Sequence, residues 1–552
     1  NAKSGVYYLH NDKEPQLLNQ QEKEGNTMVS KNEKVSVMPY LMELSEVPVI
    51  KGSEVAKSPT VTEWDVEEGT LVNTIDPATG EIVFAPMTKV SRHTNLKMFD
   101  VKFGISGAYE HMSTVSEDHS LITYNSTSME LEKTRPEEAL GACVPMTRFN
   151  WCNKVNDEQG CATHINFPSG NYSLSYDMGV FFGLMVGDGW VASTSANTKV
   201  AHIACCEESL QNYILELTKS ASMPFTKQAA LFSYAADEQR FSQRDKQRFT
   251  IYMDNEDKAF LEKLIGHGAE NKHIPYKSFM GSIAHMIGVL MGLLATDGAV
   301  SHTPGSGNRK SAKKAIIYHT VSPTLRDGVQ DLACRLGIKT SVTTYTGTSS
   351  GNTAYAIVFS LEDFARLYDK NPTRCVIPVS YKQEALMRIV NDVHENNKAS
   401  CKTTVTSYDI VPFPRGLFCE FSWAKIVDIS RDSVIAARTK GFIKRSVAKR
   451  IADALERRDW SIYKDPAYLK KADQTHRTPA QARALVDKWI AMVRNDDIGW
   501  EVVTDVTPST CTEGWDCTVP GPYTFSLSTG TIVQDTVNLH VPVSQAGIRD
   551  VR

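Results

Sequence analysis

Two aspartates, Asp188 and Asp297, each close an apolar run that contains glycine, and each is followed by another glycine. The first run covers residues 181–189 and the second covers residues 290–298. Glycine on one face of an apolar helix lets a second such helix approach closely, and we expect the closing glycine to end each helix in a conformation that other residues resist. Carboxylates brought together in this way repel each other unless a divalent cation lies between them. The pair therefore predicts a Mg²⁺ site, or a site for another divalent cation, suited to hydrolysis of a phosphodiester.

The elements that must position these acids repeat in the same order after each run. Period-two and period-3.6 patterns predict strands at 199–205, 248–253, 315–320, 340–345 and 354–359, and helices at 209–218 and 324–336. A pair of buried core helices that end in Asp-Gly turns is the alternative, and one copy alone would favour it. The repetition favours an α/β unit of two pseudo-symmetric halves.

Residues 172–398 closely resemble the LAGLIDADG homing endonucleases on the strength of these two motifs. The resemblance implies two αββαββα halves whose antiparallel sheets form a saddle over DNA, and it assigns metal binding and catalysis to Asp188 and Asp297. It also implies a basic catalytic residue near each metal site, for which Lys272 and Arg374 are the candidates. A surface role for either residue is the alternative. A monomer that cuts both strands of a long, asymmetric double-stranded DNA site is the expected form of such an enzyme.

Clusters of basic residues are the candidate DNA contacts. The formal net charge of −4 does not favour a nucleic-acid partner, but DNA binding needs positive charge on one face only. Two clusters fall at hairpins or strand ends of the expected saddle and a third follows it; a solvated surface is the alternative for each. The candidate residues are Arg240, Arg244, Lys246, Arg248, Arg309, Lys310, Lys313, Lys314, Lys440, Lys444 and Arg445.

The composition is that of a soluble globular protein, with 41% apolar and 22% charged residues in a chain of 552. A chain of this length exceeds one hydrophobic core and predicts several domains. No apolar stretch approaches the roughly 20 residues of a membrane-spanning helix, and the first residues lack the features of a signal peptide. Eleven cysteines without a disulfide framework indicate reduced thiols. We therefore expect a cytoplasmic protein of a bacterial or phage-infected cell.

Segments on both sides of this unit resemble the two parts of the Hint domain of inteins, which performs protein splicing. The matching segments are 69–76, 80–83 and 114–121 on the left, and 515–525 and 530–536 on the right. The resemblance assigns splicing-related positions to Ser116, His119, Asp516, Cys517, Gln534, Asp535 and Thr536.

Two of the residues that splicing needs are replaced. The first residue of an intein supplies a thiol or hydroxyl nucleophile, and the corresponding position falls near Asp65, where residues 64–67 contain neither Cys nor Ser. Asp535 stands where an asparagine would cyclise through its amide nitrogen, an atom that aspartate lacks. We expect splicing to be impaired. The alternative is an intein that stays competent through Cys517 and Thr536.

The sequence thus predicts a multidomain protein, with an α/β endonuclease inserted in an all-β Hint domain. The expected divisions are an N-terminal flank (1–64), the Hint domain in two parts (65–170 and 499–535), the endonuclease (171–398, halves at about 171–280 and 281–398), a helical insert (399–498) and a C-terminal flank (536–552). For the insert, contact with DNA is one interpretation and a purely structural role is the alternative. The outer segments 48–52, 58–61 and 535–544 resemble the β′ subunit of RNA polymerase. A polymerase fragment or a degenerate DNA-binding Hint module, both without activity, are the alternatives to a homing endonuclease.

Overall fold

The computed structural model describes residues 29–30, 34–36, 41–43, 47–76, 81–105, 108–117, 121–126, 129–147, 162–191, 200–205, 207–220, 222–233, 247–304, 313–345, 353–399, 409–415, 431–457, 479–527 and 530–534. Within these stretches, no helix is long and apolar enough to cross a membrane.

The N-terminal part is almost entirely β-structure. Its strands are β1 (Val29–Ser30), β2 (Lys34–Ser36), β3 (Leu41–Glu43), β4 (Val55–Ser58), β5 (Val61–Asp65), β6 (Leu71–Asp76), β7 (Glu81–Pro86), β8 (Lys89–Thr94), β9 (Met98–Ile105), β10 (Ala108–Ser116), β11 (Leu121–Asn125), β12 (Glu130–Thr134), β13 (Cys143–Thr147), β14 (His164–Phe167) and β15 (Gly170–Ser173). Strand β9 shows why this sequence forms strands. Its residues Phe99, Val101 and Phe103 are buried at alternate positions, which puts them on one face of the sheet.

The middle of the chain folds into two similar halves, which together form the paired-helix unit. The first half contains α1 (Tyr176–Gly187), β16 (Gly189–Val191), β17 (Val200–Ala204), α2 (Glu208–Leu217), β18 (Lys227–Ser233), β19 (Gln247–Tyr252) and α3 (Asn255–Ile265). The second contains α4 (Ile283–Ala295), β20 (Gly298–Thr303), β21 (Lys313–Thr320), α5 (Pro323–Arg335), β22 (Thr340–Tyr345), β23 (Ala354–Phe359) and α6 (Leu361–Lys370), and α7 (Ser380–Ala399) follows it. The four-stranded sheets have the equivalent orders β16-β17-β19-β18 and β20-β21-β23-β22. Each half therefore has the expected αββαββα order.

A small mixed module and a last group of strands complete the described chain. They are β24 (Ile410–Pro412), α8 (Arg431–Lys440), β25 (Phe442–Lys444), α9 (Arg445–Glu456), α10 (Pro479–Arg494), β26 (Ile498–Pro508), β27 (Glu513–Thr518), β28 (Thr524–Ser526) and β29 (Ile532–Gln534). Within the module, β24 pairs with β25, and the buried Trp489 of α10 donates its indole N–H to the carbonyl of Pro412 at 3.0 Å.

Strands from both ends of the chain form one thirteen-stranded sheet. Its order is β28-β29-β11-β13-β26-β9-β10-β1-β27-β8-β5-β4, and β12 pairs with β11. The C-proximal strands are thus interleaved with the N-proximal ones, since β26 lies between β13 and β9 while β27 lies between β1 and β8. The sheet begins before the expected boundary at residue 65, because β1, β4 and β5 are hydrogen-bonded members of it.

Helices α1 and α4 pack along each other at a distance that only glycine permits. A Cβ atom added to Gly183 would lie 2.3 Å from the carbonyl oxygen of Val289, and one added to Gly288 would lie 2.3 Å from that of Tyr176. Both obstacles are backbone atoms, which cannot rotate away as a side chain can. A Cβ atom added to Gly292, in the second apolar run, would likewise lie 2.4 Å from the carbonyl oxygen of Val180. Glycines in the two apolar runs therefore set the closeness of the helices, as the sequence predicted, and Gly288 just before the second run contributes as well.

A buried histidine ties the two helices together near their N-termini. His285 is fully buried, and its ring nitrogens lie 2.9 Å from the carbonyl oxygen of Ser175 and 3.0 Å from the hydroxyl of Ser278. Burial lowers the pKa of His285 to about 4, so the ring is neutral at pH 7. Because a carbonyl only accepts, Nδ1 carries the proton and Nε2 accepts from Ser278. The ring thereby joins the first turn of α1 to that of α4.

Candidate active site

The two aspartates of the repeated motif occupy equivalent places at the ends of the paired helices. Asp188 caps α1, and its backbone N–H bonds to the carbonyl of Leu184 at 3.1 Å. Its own carbonyl accepts from Ala204 in β17, and the carbonyl of Asp297 accepts from His319 in β21. Each acid is thus held between the end of a core helix and the second strand of its sheet.

The glycines that follow the acids have a different role from the one expected. Gly189 and Gly298 open β16 and β20, and neither is among the glycines with positive φ. A Cβ atom on either would lie 2.5 Å from a helix backbone atom, the Cα of Met185 or of Leu294. These glycines are required because the strand leaves its helix at close range, not because the backbone turns left-handed.

Lys272 lies beside the acids, as the sequence predicted for a basic residue of the first half. It follows a 3-10 helix (Ala269–Asn271) and is only 7% exposed. Its ammonium group donates to the carbonyl of Met185 at 2.8 Å and to that of Gly189 at 2.7 Å. Burial lowers the pKa of Lys272 to about 8, and the charges of Asp297 and Asp188 oppose that shift.

The equivalent lysine of the second half is Lys382, which the sequence analysis missed. Lys382 lies in the first turn of α7 and is 6% exposed. It donates to the carbonyls of Leu294 (3.0 Å), Ala295 (2.8 Å) and Thr296 (2.8 Å) at the end of α4. Burial lowers its pKa, and the charges of both aspartates again raise it.

Arg374 does not reach the site. It is exposed in the turn that follows α6, where its backbone N–H bonds to the carbonyl of Asn371. Lys272 and Arg374 each precede an Ile-Pro pair, at 274–275 and 377–378, and this shared spacing predicts equivalent positions for the two residues. The lysine of the first half lies before its pair and that of the second lies after, so this spacing could not identify Lys382.

Lys272 and Lys382 differ in how many of their N–H donors bond to carbonyls of the described residues. A charged ammonium group has three N–H donors. Lys382 uses all three on carbonyls at the C-terminal end of α4, where a cation is stabilised by the unpaired carbonyl groups. Lys272 donates two to carbonyls of the described residues, and among these residues no acceptor takes the third, which is left for a group at the aspartates. Lys272 is therefore the better candidate for contact with a substrate.

The charges of the site place both acids together. Asp188 and Asp297 each act on Lys272 and on Lys382, so all four groups lie within one electrostatic neighbourhood. Burial raises the pKa of Asp297, whereas the positive charges of Lys382, His319 and Lys272 lower it. Carboxylate oxygens are the ligands that Mg²⁺ and Ca²⁺ prefer, and a cation offsets the cost of burying the carboxylate. The described residues include no cluster of three or more His, Cys, Asp or Glu, so a cation here would need further oxygen ligands from DNA or water.

Three of the candidate DNA-binding residues are engaged within the protein. Lys314 bonds at 2.7 Å to Asp392 of α7, and Lys444 bonds at 3.1 Å to Glu362 of α6. Arg445 is 1% exposed, and its guanidinium binds Asp409 and the carbonyls of Met492, Val493, Asn495 and Ile498. A guanidinium buried in this way stabilises the end of α10 and cannot meet a phosphate. The expectation that Arg445 contacts DNA is therefore wrong, and Lys314 and Lys444 would have to break ion pairs to do so.

Of the remaining candidate DNA-binding residues, three lie in the described part of the chain. Lys313 and Lys440 are exposed, and Arg248 is half-buried in β19. Arg240, Arg244, Lys246, Arg309 and Lys310 lie outside the described residues.

The module built from β24, β25 and α8–α10 joins the two larger units. Arg366 of α6 lies 3.9 Å from Asp409, and Lys488 of α10 lies 3.6 Å from Glu130 of β12. Its contacts thus run to the paired-helix unit on one side and to the large sheet on the other. They favour a structural role for this segment, although basic side chains such as Arg438, Lys440 and Arg450 are exposed at its surface.

Two of the splicing-related residues flank β1 in the large sheet. Val29 is the partner of both Val115 in β10 and Trp515 in β27, and the next residues along these neighbours are the buried Ser116 and Asp516. Asp65 lies in β5, from which β8, β27 and β1 separate β10. Four strand spacings amount to about 19 Å. Asp65 therefore does not lie beside Ser116, as the assignment of the first splicing residue required.

Two of the other splicing-related residues, Cys517 and Gln534, are also buried. Cys517 is 1% exposed and lies in the core of the large sheet, and side-chain alternation puts the neighbouring Asp516 on the opposite face. Gln534 is buried in β29. His119, Asp535 and Thr536 lie outside the described residues.

Comparisons with known proteins bear on part of the chain. A family model described as a LAGLIDADG-like domain matches residues 284–371, and the second half therefore carries such a domain. The replicative DNA helicase DnaB of Rhodothermus marinus is 24% identical over 263 residues, which are 48% of this chain and 24% of the relative. The chain thus spans about a quarter of the length of the curated relative that it matches.

Solved structures of two kinds resemble the chain weakly. The homing endonuclease I-DmoI in complex with DNA and Ca has a TM-score of 0.24 and 13% identity, with 36% of this chain and 90% of that chain covered. The PabCDC21-1 intein has a TM-score of 0.19 and 12% identity, with coverage of 22% and 72%. Scores this low carry no conclusion about function. No RNA polymerase is among these relatives, so they do not support the expected resemblance of the outer segments to an RNA polymerase β′ subunit.

Proposed function

We propose that this chain is a site-specific endonuclease that cleaves both strands of double-stranded DNA by divalent-metal hydrolysis at Asp188 and Asp297. The observation that carries the proposal is the arrangement at the C-terminal ends of α1 and α4. There the buried Lys272 lies beside both aspartates, and two of its three N–H donors bond to carbonyls of the described residues. The LAGLIDADG-like domain at residues 284–371 supports it.

Asp188 and Asp297 would hold the cation, with Mg²⁺ as the proposed metal. Bound there, the cation would polarise the scissile phosphate and make the attacking water more acidic. The aspartates are fixed by the backbone bonds of Asp188 to Leu184 and of the two acid carbonyls to Ala204 and His319. Little rearrangement of the acids is then needed when DNA binds, which is the condition for electrostatic preorganisation.

Lys272 would supply positive charge to the phosphate. Its two carbonyl bonds fix the ammonium group, and its third N–H is left for a phosphate oxygen. Because burial lowers the pKa of Lys272 to about 8, the charge is present at pH 7 and is lost in mildly alkaline solution. Lys382 would act through α4, since its three donors hold the last carbonyls of that helix.

The two halves suit an asymmetric DNA target and a monomeric enzyme. They share one topology, but their sheet residues differ. In the first half, Trp190 of β16 pairs with His202 of β17, and the two rings are in contact. The equivalent pair of the second half is Ala299 and Ile317. Different side chains on equivalent strands would read different bases in the two half-sites. Both halves belong to one chain, so a second copy is not needed to complete the acid pair.

The surrounding large sheet would be a splicing domain whose chemistry is impaired. Asp535 lacks the amide nitrogen that cyclisation needs, and the thiol of Cys517 lies in the core of the sheet. The endonuclease would then recognise the coding sequence that lacks the insertion. Splicing through Cys517 and Thr536 is the alternative, and it would require the core around Cys517 to open.

Substitution of the acids tests the proposed mechanism. We expect Asp188→Asn and Asp297→Asn to abolish double-strand cleavage, since a neutral amide binds a divalent cation far less well than a carboxylate. DNA affinity should remain within a few-fold of wild type, because the acids serve the metal and not the bases. Asp392→Asn is a matched control, as it removes a carboxylate from the same unit but outside the site. Gel-resolved cleavage and a binding titration in Ca²⁺ give the two readouts.

The same experiment separates the enzyme from its rival. A degenerate module that only binds DNA would show affinity without cleavage in the wild-type protein. Cleavage at wild-type rates in either Asn variant would remove that aspartate from the mechanism.

A further inference from the structure

A tyrosine hydroxyl is buried beside the acid pair without a hydrogen bond. Tyr318 of β21 is 0% exposed, and its hydroxyl has no partner among the residues that the structure describes. Leaving a buried hydroxyl unpaired costs free energy of folding, and such groups are rare in native proteins. A phenylalanine would fill the same space without that cost.

The strand register puts Tyr318 directly at the site. Tyr318 is the cross-strand partner of Gly298, the residue that follows Asp297, and the backbone N–H of the next residue, His319, donates to the carbonyl of Asp297 at 3.3 Å. Like the equally buried Ile316, Tyr318 points to the helix side of its sheet, where α4 ends. Burial and the charges of Asp297 and Asp188 raise its pKa, so the hydroxyl keeps its proton and can act as a donor.

The first half has no equivalent hydroxyl. The partner of Gly189 is Ile203, which is also 0% exposed. Two sheets with the same strand order therefore place a phenol beside one acid and a hydrocarbon beside the other. At this position of the strand register, the second half has an unpaired donor and the first half has a hydrocarbon side chain.

We propose that Tyr318 is a positioning residue that donates a hydrogen bond to the Asp297 carboxylate, or to an oxygen held by it, when the cation and DNA are bound, and that the two DNA strands are therefore cut at different rates. The inference rests on the proposed function and adds an asymmetry to it. A donor in one half would fix only one of the two acids.

Tyr318→Phe tests the inference against Tyr124→Phe as a matched control. Tyr124 is also buried with an unpaired hydroxyl, but it lies in β11 of the large sheet. Both variants should melt at the wild-type temperature or above it, because each loses only an unsatisfied group. On a duplex labelled separately at each strand, Tyr318→Phe should slow one strand about tenfold or more, the range for a hydrogen bond to a charged group, and nicked DNA should accumulate. Tyr124→Phe should cut both strands as the wild type does.

A second readout needs no cleavage. Mn²⁺ titrated into the protein should bind several-fold more weakly to Tyr318→Phe than to the wild type or to Tyr124→Phe. Equal slowing of both strands, unchanged cleavage, or unchanged Mn²⁺ affinity would overturn the role of Tyr318. A wild-type protein that cuts no DNA would contradict the proposed function, and the Mn²⁺ comparison would still decide the role of Tyr318.

Discussion

At the scale of single residues, the two buried lysines of the site differ in the number of hydrogen bonds that each donates within the protein. Lys272 binds the carbonyls of Met185 in α1 and of Gly189 in β16, and Lys382 binds three carbonyls at the C-terminal end of α4. Among the described residues, Lys382 has an acceptor for each of its three donors and Lys272 has acceptors for two. The difference favours substrate contact for Lys272 and support of α4 for Lys382, although both are buried and near the same acids.

The pH dependence of cleavage should report the charge of Lys272. Its pKa is lowered to about 8, so the ammonium form is present below pH 8 and is lost as the pH rises through that value. We expect the cleavage rate to fall above pH 8 in the wild type. Lys272→Arg, which keeps its charge, should lack this fall even if its rate is lower overall. A rate that rises through pH 8 would instead make Lys272 a base and contradict the assignment.

Site residues that belong to a local sequence motif can be predicted from the sequence. Residues whose role depends on tertiary contacts cannot. Asp188 and Asp297 follow from a repeated motif, and Lys272 was found close to the second motif helix. Lys382 was missed because nothing in the spacing of residues 374–382 shows which side chain turns back to α4. Arg445 was assigned to DNA because a run of basic residues reads as surface, whereas its guanidinium is enclosed by carbonyls.

At the scale of elements, the helix pair α1 and α4 carries the alignment of the site. Cβ atoms at Gly183 or Gly288 would overlap backbone oxygens of the partner helix. We expect Gly183→Ala and Gly288→Ala each to destabilise the protein by about 1–3 kcal/mol or more, the cost of overpacking a core. Cleavage should fall as well, because separating the helices separates the acids.

Gly328→Ala is the matched control for these two variants. Gly328 also lies within a helix, α5, but a Cβ there would make ordinary contacts at 3.6 Å to Ile274 and 3.7 Å to Phe279. Replacing a helical glycine by alanine at such a place is neutral or stabilises by about 0.5–1 kcal/mol. Denaturant unfolding of the three variants checks the contrast. Equal stability of all three would show that close helix approach is not what the glycines provide.

The element predictions succeeded where periodicity was strong. The strands Thr340–Tyr345 and Ala354–Phe359 lie where the sequence predicted them, and helix α5 begins and ends within one residue of its prediction. Helix α6 and strand β18 were not predicted. The start of the large sheet was placed too late, because β1 has two residues and its membership depends on pairing with β10 and β27, which are distant in sequence.

The position of β1 predicts where the first splicing residue belongs. Strand β1 begins at Val29, whose cross-strand partners Val115 and Trp515 immediately precede Ser116 and Asp516. Residue 28, just outside the described part, is a methionine and cannot supply a nucleophile. In Met28→Cys, the new thiol should attack the carbonyl carbon of Thr27, break the peptide bond that follows Thr27 with release of a protonated amine, and form a thioester. An added thiol should then release residues 1–27, which mass spectrometry would detect.

Asp65→Cys is the control for this gain of function. Asp65 lies about 19 Å from β10 by strand spacing, so a thiol there should release nothing. Release from Asp65→Cys, or an intact chain in a Met28→Cys protein that still cuts DNA, would show that β1 does not mark the junction.

At the scale of the whole molecule, the chain runs through the large sheet twice. Strands β26 and β27 return from the far end of the sequence to positions between β9, β13, β1 and β8, with the paired-helix unit and the small module between the two passes. Ion pairs such as Lys339–Glu501 at 3.0 Å join the second half to β26. The paired-helix unit is thus held against the large sheet by such ion pairs as well as at the two points where the chain connects them.

We propose that this molecule cuts DNA at the place where its own coding sequence would be inserted. The direct measurement uses a duplex in which the codons for residues 1–27 are followed immediately by those for residues 536–552. The control is the coding sequence of the full chain, in which the codons for residues 28–535 separate these two segments. In Mg²⁺ we predict a cut in both strands close to the join, mapped by end-labelling, and none in the control duplex or with Asp297→Asn. An intact joined duplex, or a cut that Asp297→Asn also makes, would contradict the account.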